Sequence, residues 1–346
     1  MNSCALNHAN TLSLRYFLIK FFQKQFCLYV SPVHLCTLMP HTSTKQAPIV
    51  KVIIAFAIVY IVWGSTYFFV QSSERDFPPF VLGALRFSVS GILLMLWCAI
   101  KGYKLVYVPQ LKTSFIVGNL LLFIGNGSII WAEVTLPSSF VAVLVSAAPL
   151  WFVLFDSRNR MANFNNKHIV IGIITGFAGV ILLFSEKIFS GLTPGSGIVQ
   201  VICLIVVVVG NISWCVGSLY SKYHGGGNTI VGAAWQMIFA AISFLIVALC
   251  NGEISHFHFH DIHLRAWLSV IYLVFLGSLA GYSAYIWLLQ VRPATHVSTN
   301  AYVNPVVAVL LGVFFGGETI NSLQICALVM ILSSVFIINF DKYMAN

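Results

Sequence analysis

Ten runs of about 20 predominantly apolar residues follow one another through most of the chain. A helix needs about 20 such residues to cross the hydrocarbon core of a bilayer. The runs cover 50–70, 80–100, 113–132, 137–155, 168–185, 198–220, 229–250, 266–289, 294–315 and 320–340. They predict an all-α membrane protein with ten transmembrane helices.

Composition supports this class and disfavours most others. Of the 346 residues, 59% are hydrophobic and 8% are charged, whereas a typical soluble domain carries about 25% charged residues. Such a chain cannot cover a water-facing surface, which argues against a soluble enzyme, a disordered protein and a nucleic-acid binder. The eight cysteines include no Cys-x-x-Cys pair and are interpreted as small hydrophobic residues.

The few basic residues predict the orientation. With the N-terminus in the cytoplasm, the cytoplasmic segments from Lys45 onward hold eleven lysines and arginines, and the outer loops hold three. Cytoplasmic loops of membrane proteins carry an excess of these residues. We therefore expect a multi-pass protein of the inner (plasma) membrane with both termini in the cytoplasm, and the net charge of +9 is chiefly a topology signal.

Residues 1–48 are a separate N-terminal extension, which we expect to be cytoplasmic. It contains Arg15, Lys20 and Lys24 among aromatic residues, but no apolar run of spanning length. We favour Met39 as the true start of the protein. A helix lying along the membrane surface and a signal-like leader are the alternatives.

An internal repeat divides the remaining chain into two halves. Residues 125–149 match residues 281–305 at a constant offset of 156, and two weaker echoes lie outside this stretch. The matched pairs are Gly125/Gly281, Ile130/Ile286, Trp131/Trp287, Pro137/Pro293, Val141/Val297 and Pro149/Pro305, with Trp63/Trp214 and Arg86/Gln236 as the echoes.

Each residue is separated from its mate by five spans, and an odd number reverses the direction of crossing. The sequence therefore predicts two inverted five-helix repeats, at 49–186 and 197–341. Inverted repeats are typical of secondary transporters, which bind substrate near the bilayer midplane between the two halves. The alternative is an old duplication that now serves only the architecture.

Two charges within or next to the predicted spans are candidates for function. Arg86 lies in the outer half of the second span, where an arginine is costly and suggests a role with anions, although it could also snorkel to the surface. Glu133 lies at the junction of spans three and four. As a partly desolvated carboxylate it could carry a coupling proton, or it could be an exposed loop acid.

Other candidates lie near the predicted midplane. Pro149 and Pro305 would each free a backbone carbonyl inside a helix. Further polar residues at this depth include Asn211 and Asn300, which could instead hold helices together. The polar and aromatic side chains that we expect to line a substrate cavity are Trp63, Ser65, Thr66, Asn126, Trp214, Gln236, Tyr302 and Asn304.

Two further patterns have simpler interpretations. In the loop 256–263, an extended chain would place His256, His258 and His260 on one face, as a zinc or copper site requires. The alternative is an aromatic and histidine-rich interfacial segment, and neither a metal site nor a cofactor is predicted. Gly172-x-x-x-Gly176-x-x-Gly179 predicts a close-packing helix face.

Several motifs resemble those of the drug/metabolite transporter (DMT) superfamily, in its EamA type and more narrowly the YedA-like inner-membrane transporters. The motifs are Trp63-Gly64-Ser65-Thr66, Ala84-Leu85-Arg86-Phe87 after Pro78-Pro79, Gly125-Asn126-Gly127 with Ala132-Glu133, Asn304-Pro305 and Gly316-Gly317-Glu318-Thr319. The resemblance covers 50–340. It implies two EamA repeats of five helices and export or exchange of small metabolites through a central cavity, without identifying one substrate.

The sequence thus predicts a secondary transporter rather than an enzyme. Its substrate would be a small polar or amphipathic metabolite, amino-acid-like or drug-like, moved by alternating access, with proton coupling as one version. The expected partners are this small molecule and the lipid bilayer, with a homodimer left open and no nucleic acid. The alternatives are a membrane-embedded metal-dependent enzyme, for which no His-Glu-x-x-His motif is present, and a passive channel.

Overall fold

The computed structural model describes residues 47–73, 76–136, 141, 144–183, 185, 197–255, 257, 262–316 and 321–344. Within these ranges the chain is helical and contains no strand. The predictions for Met39, for Pro137, for Glu318 and for His256, His258 and His260 fall on residues outside the described ranges.

The chain forms helices of very unequal length. The helices are α1 Ile49–Ser73, α2 Pro79–Ile100, α3 Val108–Glu133, α4 Ala148–Phe155, α5 Arg160–Asn165, α6 Lys167–Leu183, α7 Gly197–His224, α8 Thr229–Cys250, α9 Leu264–Val291, α10 Ala294–Val297, α11 Asn300–Gly316 and α12 Ser322–Met344. Among the described residues, seven helices are long and apolar enough to cross a membrane: α1, α2, α3, α7, α8, α9 and α12. The protein is therefore a multi-pass helical membrane protein, and the count of ten spans stays a prediction.

The fourth and ninth predicted spans are interrupted helices. A turn at Ser146–Ala147 precedes α4, and a turn at Ser298–Thr299 separates α10 from α11. Pro149 lies in the first turn of α4, where its missing N–H removes no helical hydrogen bond. Pro149 therefore does not lie in the interior of a helix, where it was predicted to free a carbonyl. Pro305 does lie inside α11, as predicted.

Side chains from the opposite half hold both interruptions. Asn211 in α7 donates its amide N–H groups to the carbonyl oxygens of Leu144 (2.8 Å) and Val145 (3.2 Å), next to the first turn. Tyr60 in α1 shares a 2.7 Å hydrogen bond with the hydroxyl of Thr299 at the second turn. Asn211 and Tyr60 are repeat mates, because they differ by the same 151 residues as Trp63 and Trp214. The same position in each half therefore supports an interrupted helix of the other half.

Two segments of wider, π-helical turns also occur at matching positions. They cover Gly118–Asn126 in α3 and Leu273–Tyr282 in α9, and the offset of 156 superposes them to within one residue. Such segments are rare and frequently mark functional sites. Their carbonyl oxygens bind side chains of facing helices: Ser213 donates to Leu120 (2.8 Å), and Trp63 Nε1 donates to Gly277 (3.0 Å).

Helix packing follows the same two-fold relationship. Helix α1 packs against α9 and α11, and its repeat mate α7 packs against α3 and α4. The pairs α2–α8 and α6–α12 join equivalent helices of the two halves. Exchanging the halves leaves this set of contacts unchanged, which supports a two-repeat architecture. The predicted repeat boundaries, 49–186 and 197–341, stay predictions.

The glycine face of α6 packs closely on α12, as predicted. A Cβ on Gly172 would lie 2.5 Å from Ile338 Cγ1, and a Cβ on Gly179 would lie 2.9 Å from Ile331 Cγ1. Only a hydrogen at these positions allows the two backbones to approach this closely. This pair of helices lies apart from the residues expected to bind substrate, with the exception of Tyr302.

Two carboxylates on the predicted outer face cap helices of the opposite half. Glu253 accepts hydrogen bonds from the backbone N–H groups of Phe80 (3.0 Å) and Val81 (3.1 Å), at the start of α2. Asp76 accepts one from the backbone N–H of His263 (2.9 Å), at the start of α9. A carboxylate at a helix N-terminus is favoured by the helix dipole. The first of these caps helps to position α2, which carries Arg86.

Candidate functional site

A central cavity of about 860 Å³, its open mouth included, lies between the two halves. It extends from Trp63 and Trp214 to Val70 and Glu133. Val70 and Glu133 lie near the ends of α1 and α3, on the predicted outer face. Helices of both halves line the cavity, so its shape depends on how the halves pack.

Seven of the twelve predicted site residues line this cavity: Trp63, Thr66, Arg86, Asn126, Glu133, Trp214 and Asn304. The structure brings them together from α1, α2, α3, α7 and α11. That they bind a substrate stays a prediction. The remaining lining residues, absent from the predicted set, are Tyr67, Val70, Gly125, Ile129, Ile130, Val145, Ala148, Phe152, Gly210, Asn211, Asn300 and Ala301.

Ser65 and Tyr302 do not line the cavity, and helical periodicity explains both corrections. Side chains three or four residues apart share a helix face, whereas those two apart do not. Ser65 therefore points away from the face of Trp63 and Thr66, and its hydroxyl bonds the Tyr272 hydroxyl at 2.5 Å. Tyr302 points away from Asn300 and Asn304, and donates to the carbonyl oxygen of Ile173 at 2.9 Å. The same rule applied to Trp63 would have identified Tyr67.

Gln236, Pro149 and Pro305 also lie outside the cavity lining. Gln236 is buried and accepts a 2.7 Å hydrogen bond from the Tyr282 hydroxyl. The two prolines are sequence neighbours of the lining residues Ala148 and Asn304 but do not line the cavity themselves. They shape the backbone of the site rather than its surface.

Arg86 is the buried cation of the cavity. Its side chain is only 5% exposed, its Nε donates to the Ser278 hydroxyl at 2.8 Å, and its guanidinium lies 4.9 Å from the centre of the Phe87 ring. Snorkelling to the surface is therefore wrong for this residue. Among the described residues, no carboxylate forms an ion pair with it. A buried guanidinium with no ion-pair partner in the described part of the chain favours binding an anionic group.

Hydrogen-bond acceptors lie elsewhere in the same cavity. The side-chain oxygen of Asn304 is buried, and among the described residues it has no hydrogen-bond partner. Glu133 lies at the outer end of the cavity, close enough to Tyr67 for an electrostatic interaction. Leaving a buried acceptor unsatisfied costs about 1–3 kcal/mol. A ligand that donates hydrogen bonds would recover this cost.

Three aromatic rings close the inner end of the cavity. The ring centres of Trp63 and Trp214 lie 5.5 Å apart, and that of Tyr285 lies 4.9 Å from the first and 5.4 Å from the second. Trp214 Nε1 donates to the Tyr285 hydroxyl at 2.9 Å. We call this group, Trp63, Trp214 and Tyr285, the aromatic floor.

The repeat also determines how the floor is packed. A Cβ on Gly281 would lie 2.6 Å from Trp63 Nε1, and a Cβ on Gly125 would lie 3.1 Å from Trp214 Cε3. Each tryptophan therefore packs on a glycine of the opposite half, and these two glycines are themselves repeat mates. The sequence identified both pairs but not this cross-contact, because the packing of one half on the other is not visible in it.

The histidine loop 256–263 lies mostly outside the described residues. Among the described residues, no group of three histidine, cysteine or acidic side chains could hold an ion. His263 lies within the described residues, and its Nδ1 contacts Asp76 Oδ2 at 3.0 Å.

A multi-pass helical protein with a cavity between two related halves has the architecture of a transporter, and known proteins support this class. The model of the EamA-like transporter family matches residues 50–185 and again 201–340. The inner membrane transporter YedA of Escherichia coli K12 is 34% identical over 294 residues, which cover 84% of this chain and 91% of YedA. The chain therefore belongs to the EamA-like transporter family, as its motifs predicted, and is a membrane transporter rather than an enzyme.

More distant proteins cover similar shares of the chain. The protein PecM of Dickeya dadantii is 24% identical, covering 80% of this chain and 88% of PecM. A probable amino-acid metabolite efflux pump of Salmonella typhimurium LT2 is 21% identical, covering 81% and 92%. One crystal structure aligns with a TM-score of 0.69 at 19% identity, covering 84% of this chain and 98% of that one. The fold is therefore shared with a solved structure.

Proposed function

We propose that the protein is a secondary transporter that exports or exchanges a small amino-acid-like metabolite across the inner membrane by alternating access. The observation that carries this proposal is the central cavity, which combines the buried cation of Arg86 with the unsatisfied acceptor of Asn304. The efflux pump relative named above supports the same substrate class.

The cavity has the polarity that an amino-acid-like zwitterion requires. A substrate carboxylate would bind the Arg86 guanidinium through charge-assisted hydrogen bonds. A substrate ammonium would donate to the side-chain oxygen of Asn304 or to Glu133. Trp63 and Trp214 offer an apolar surface for the rest of the molecule.

Glu133 is the residue we propose for proton coupling. It is a carboxylate at the outer end of the cavity, where it could exchange a proton with the outer solution. Protonation would weaken its attraction for a substrate ammonium, since a neutral carboxyl group carries no charge. Proton binding and substrate release would then be linked at this position.

Localisation and orientation belong to the same proposal. The excess of basic residues on one face supports cytoplasmic termini, and the likeness to an inner membrane transporter supports that membrane. The partners are a small-molecule substrate and the lipid bilayer, with a homodimer left open.

The test is flux into liposomes that contain the purified full-length protein. A panel of zwitterionic amino acids is compared with their amides and decarboxylated amines, with and without a pH gradient. We expect saturable counterflow of zwitterions that the derivatives lacking a carboxylate do not inhibit. Absence of flux for every compound would reject the proposal, and non-saturable flux would favour the channel.

The proton-coupled version has its own variant. Glu133→Gln should abolish uptake driven by a pH gradient while leaving counterflow of substrate measurable. Thr66→Ser, another change in the cavity lining that alters no charge, is the matched control. Gradient-driven uptake that survives Glu133→Gln would remove this role from Glu133.

A further inference from the structure

A second cavity, of about 400 Å³, lies on the opposite side of the protein from the mouth of the central one. It is formed by the ends of α3, α7, α8 and α9 and by the glycine loop 225–227, all on the predicted cytoplasmic face. Its polar lining consists of uncharged amide and hydroxyl side chains, including Gln110, Ser221, Gln236 and Gln290. Within the described part of the chain, it shares no lining residue with the central cavity.

The internal repeat relates this cavity to the central one. Ser221 is the repeat mate of Val70, Gln236 of Arg86 and Ile286 of Ile130, at the offsets of 151, 150 and 156 that match the two halves. The first member of each pair lines the second cavity and the other lines the central cavity. The second cavity thus lies at a position in the second half that is equivalent, by the repeat, to the outer part of the central cavity in the first half.

Two tyrosines fill the space that would join the two cavities. Tyr282 and Tyr285 are the repeat mates of Asn126 and Ile129, which line the central cavity. The Tyr282 hydroxyl donates to Gln236 at 2.7 Å. The Tyr285 hydroxyl contacts both Trp214 Nε1 (2.9 Å) and the Ser218 hydroxyl (2.7 Å). The connection is therefore closed by hydrogen-bonded rings rather than by a continuous apolar core.

A lysine holds the closed ends of α7 and α9 together. Lys222 Nζ donates to the carbonyl oxygens of Leu289 (2.6 Å) and Arg292 (2.7 Å), at the C-terminus of α9. A cation at a helix C-terminus interacts favourably with the helix dipole. Gln290 Nε2 adds a 3.2 Å bond to the Ser221 carbonyl. Leu289 is the repeat mate of Glu133 at the mouth of the central cavity, so this contact lies where the opposite mouth would be.

We propose that the second cavity is a substrate-binding vestibule on the cytoplasmic side, and that it opens to the aromatic floor when the Lys222 contact with α9 breaks. Its uncharged amide and hydroxyl lining would bind the same amino-acid-like substrate through hydrogen bonds, without the ionic contact of Arg86. This inference rests on the proposed alternating access and adds the second binding position and the residue that closes it.

Thiol labelling of the full-length protein in membrane vesicles tests the vestibule without a substrate. All cysteines except the buried Cys98, Cys203 and Cys215 are replaced by serine, and Ser221→Cys is introduced. A membrane-impermeant methanethiosulfonate reagent is then applied to each face separately. We expect slow labelling from one face. Lys222→Met should accelerate it about tenfold, because the loss of a charge-assisted hydrogen bond typically shifts an equilibrium between closed and open states by such a factor.

Two control variants separate this effect from misfolding. Lys222→Arg keeps donors for the carbonyl oxygens and should restore slow labelling. Lys101→Met removes a lysine of the same predicted face, whose Nζ lies 5.8 Å from the centre of the Trp97 ring, and should leave labelling unchanged. Equal labelling rates with Lys222 and with Lys222→Met, in proteins with matched melting temperatures, would overturn the proposal.

A wedge in the central cavity tests the connection between the two cavities. In Thr66→Cys/Ser221→Cys/Lys222→Met, a bulky impermeant maleimide is first attached at position 66 from the outer face. Keeping the outer side open should then reduce labelling at position 221 about tenfold. Labelling that ignores the wedge would show local opening and reject the vestibule. If the liposomes show flux but labelling at position 221 does not depend on Lys222, the vestibule is rejected and the proposed function stands. If labelling behaves as expected but no compound is transported, the proposed function is rejected and the opening of the second cavity stands.

Discussion

The region between α1 and α3 and the region between α7 and α9 are built from repeat mates. The first encloses the central cavity, whereas the second is closed between its smaller cavity and the aromatic floor. Both carry a tryptophan packed on a glycine and a π-helical segment at the same place. They differ in the side chains between them, since Asn126 and Ile129 in the first correspond to Tyr282 and Tyr285 in the second. A duplicated scaffold thus provides two routes, and side-chain volume and hydrogen bonding decide which one is open.

The two regions also differ in charge. Arg86 and Glu133 belong to the first half, and their repeat mates are Gln236 and Leu289. Ionisable groups are costly inside a membrane, so the presence of these two in the first half supports the proposed role of that half in recognising charge. Four sets of variants test or sharpen this comparison.

The largest effect is expected when Arg86 is replaced by the residue of its repeat mate. Arg86→Gln removes the buried cation while keeping a donor for Ser278. We expect roughly a 10- to 100-fold loss in kcat/KM for carboxylate-bearing substrates, as for the loss of a charged hydrogen bond. Liposome flux measures this loss. Ser278→Ala, which keeps the charge, should cost much less, and equal losses would place the function of Arg86 in packing.

The next effect concerns the glycines under the aromatic floor. Gly281→Ala places a Cβ 2.6 Å from Trp63 Nε1, whereas Gly125→Ala places one 3.1 Å from Trp214 Cε3. Overpacking of this kind costs about 1–3 kcal/mol, and we expect the first variant to lose more stability than the second. Thermal unfolding in detergent compares them. The opposite order would contradict the tighter packing of the Trp63 contact.

The third effect concerns the bridges to the interrupted helices. Asn211→Leu leaves the Leu144 and Val145 carbonyl oxygens without their donor, which should cost about 1–3 kcal/mol. Its counterpart Tyr60→Phe removes the tyrosine hydroxyl that bonds Thr299. Because the Thr299 hydroxyl still donates to the His296 carbonyl, this variant should cost about 1 kcal/mol. Denaturant unfolding distinguishes the two. Similar losses would show that the two bridges are equivalent.

The smallest effect is a pH dependence at the cap on α2. Desolvation raises the pKa of Glu253, although its bonds from the Phe80 and Val81 N–H groups oppose this. Because the pKa of Glu253 is higher in the folded than in the unfolded protein, its titration adds to the free energy of unfolding below a pH of about 4.5. This contribution is lost as the pH rises through the pKa of the folded protein. Glu253→Gln should remove this part of the pH dependence of the melting temperature. The neighbouring change Ser255→Ala should preserve it, and a parental profile in Glu253→Gln would contradict the assignment.

The composition and the apolar runs were sufficient to predict a helical membrane protein, because bilayer thickness dictates the length of a spanning helix. The predictions were weaker wherever they depended on the direction of a side chain. Trp63 and Thr66 line the cavity, whereas Ser65, predicted beside them, lies on another face of α1. The sequence indicated how deep each side chain lies in the membrane, but not which way it points around the helix axis.

The repeat is the clearest case in which sequence and structure contribute different things. Matching residues alone related Gly125 to Gly281 and Trp63 to Trp214, because duplication leaves its record in residue identity. That each tryptophan packs on the other half's glycine, that both π-helical segments coincide, and that Lys222 holds α7 to α9 were decided only by the tertiary structure. These contacts join residues about 70 to 220 positions apart, and which of two related regions closes depends on how whole helices pack.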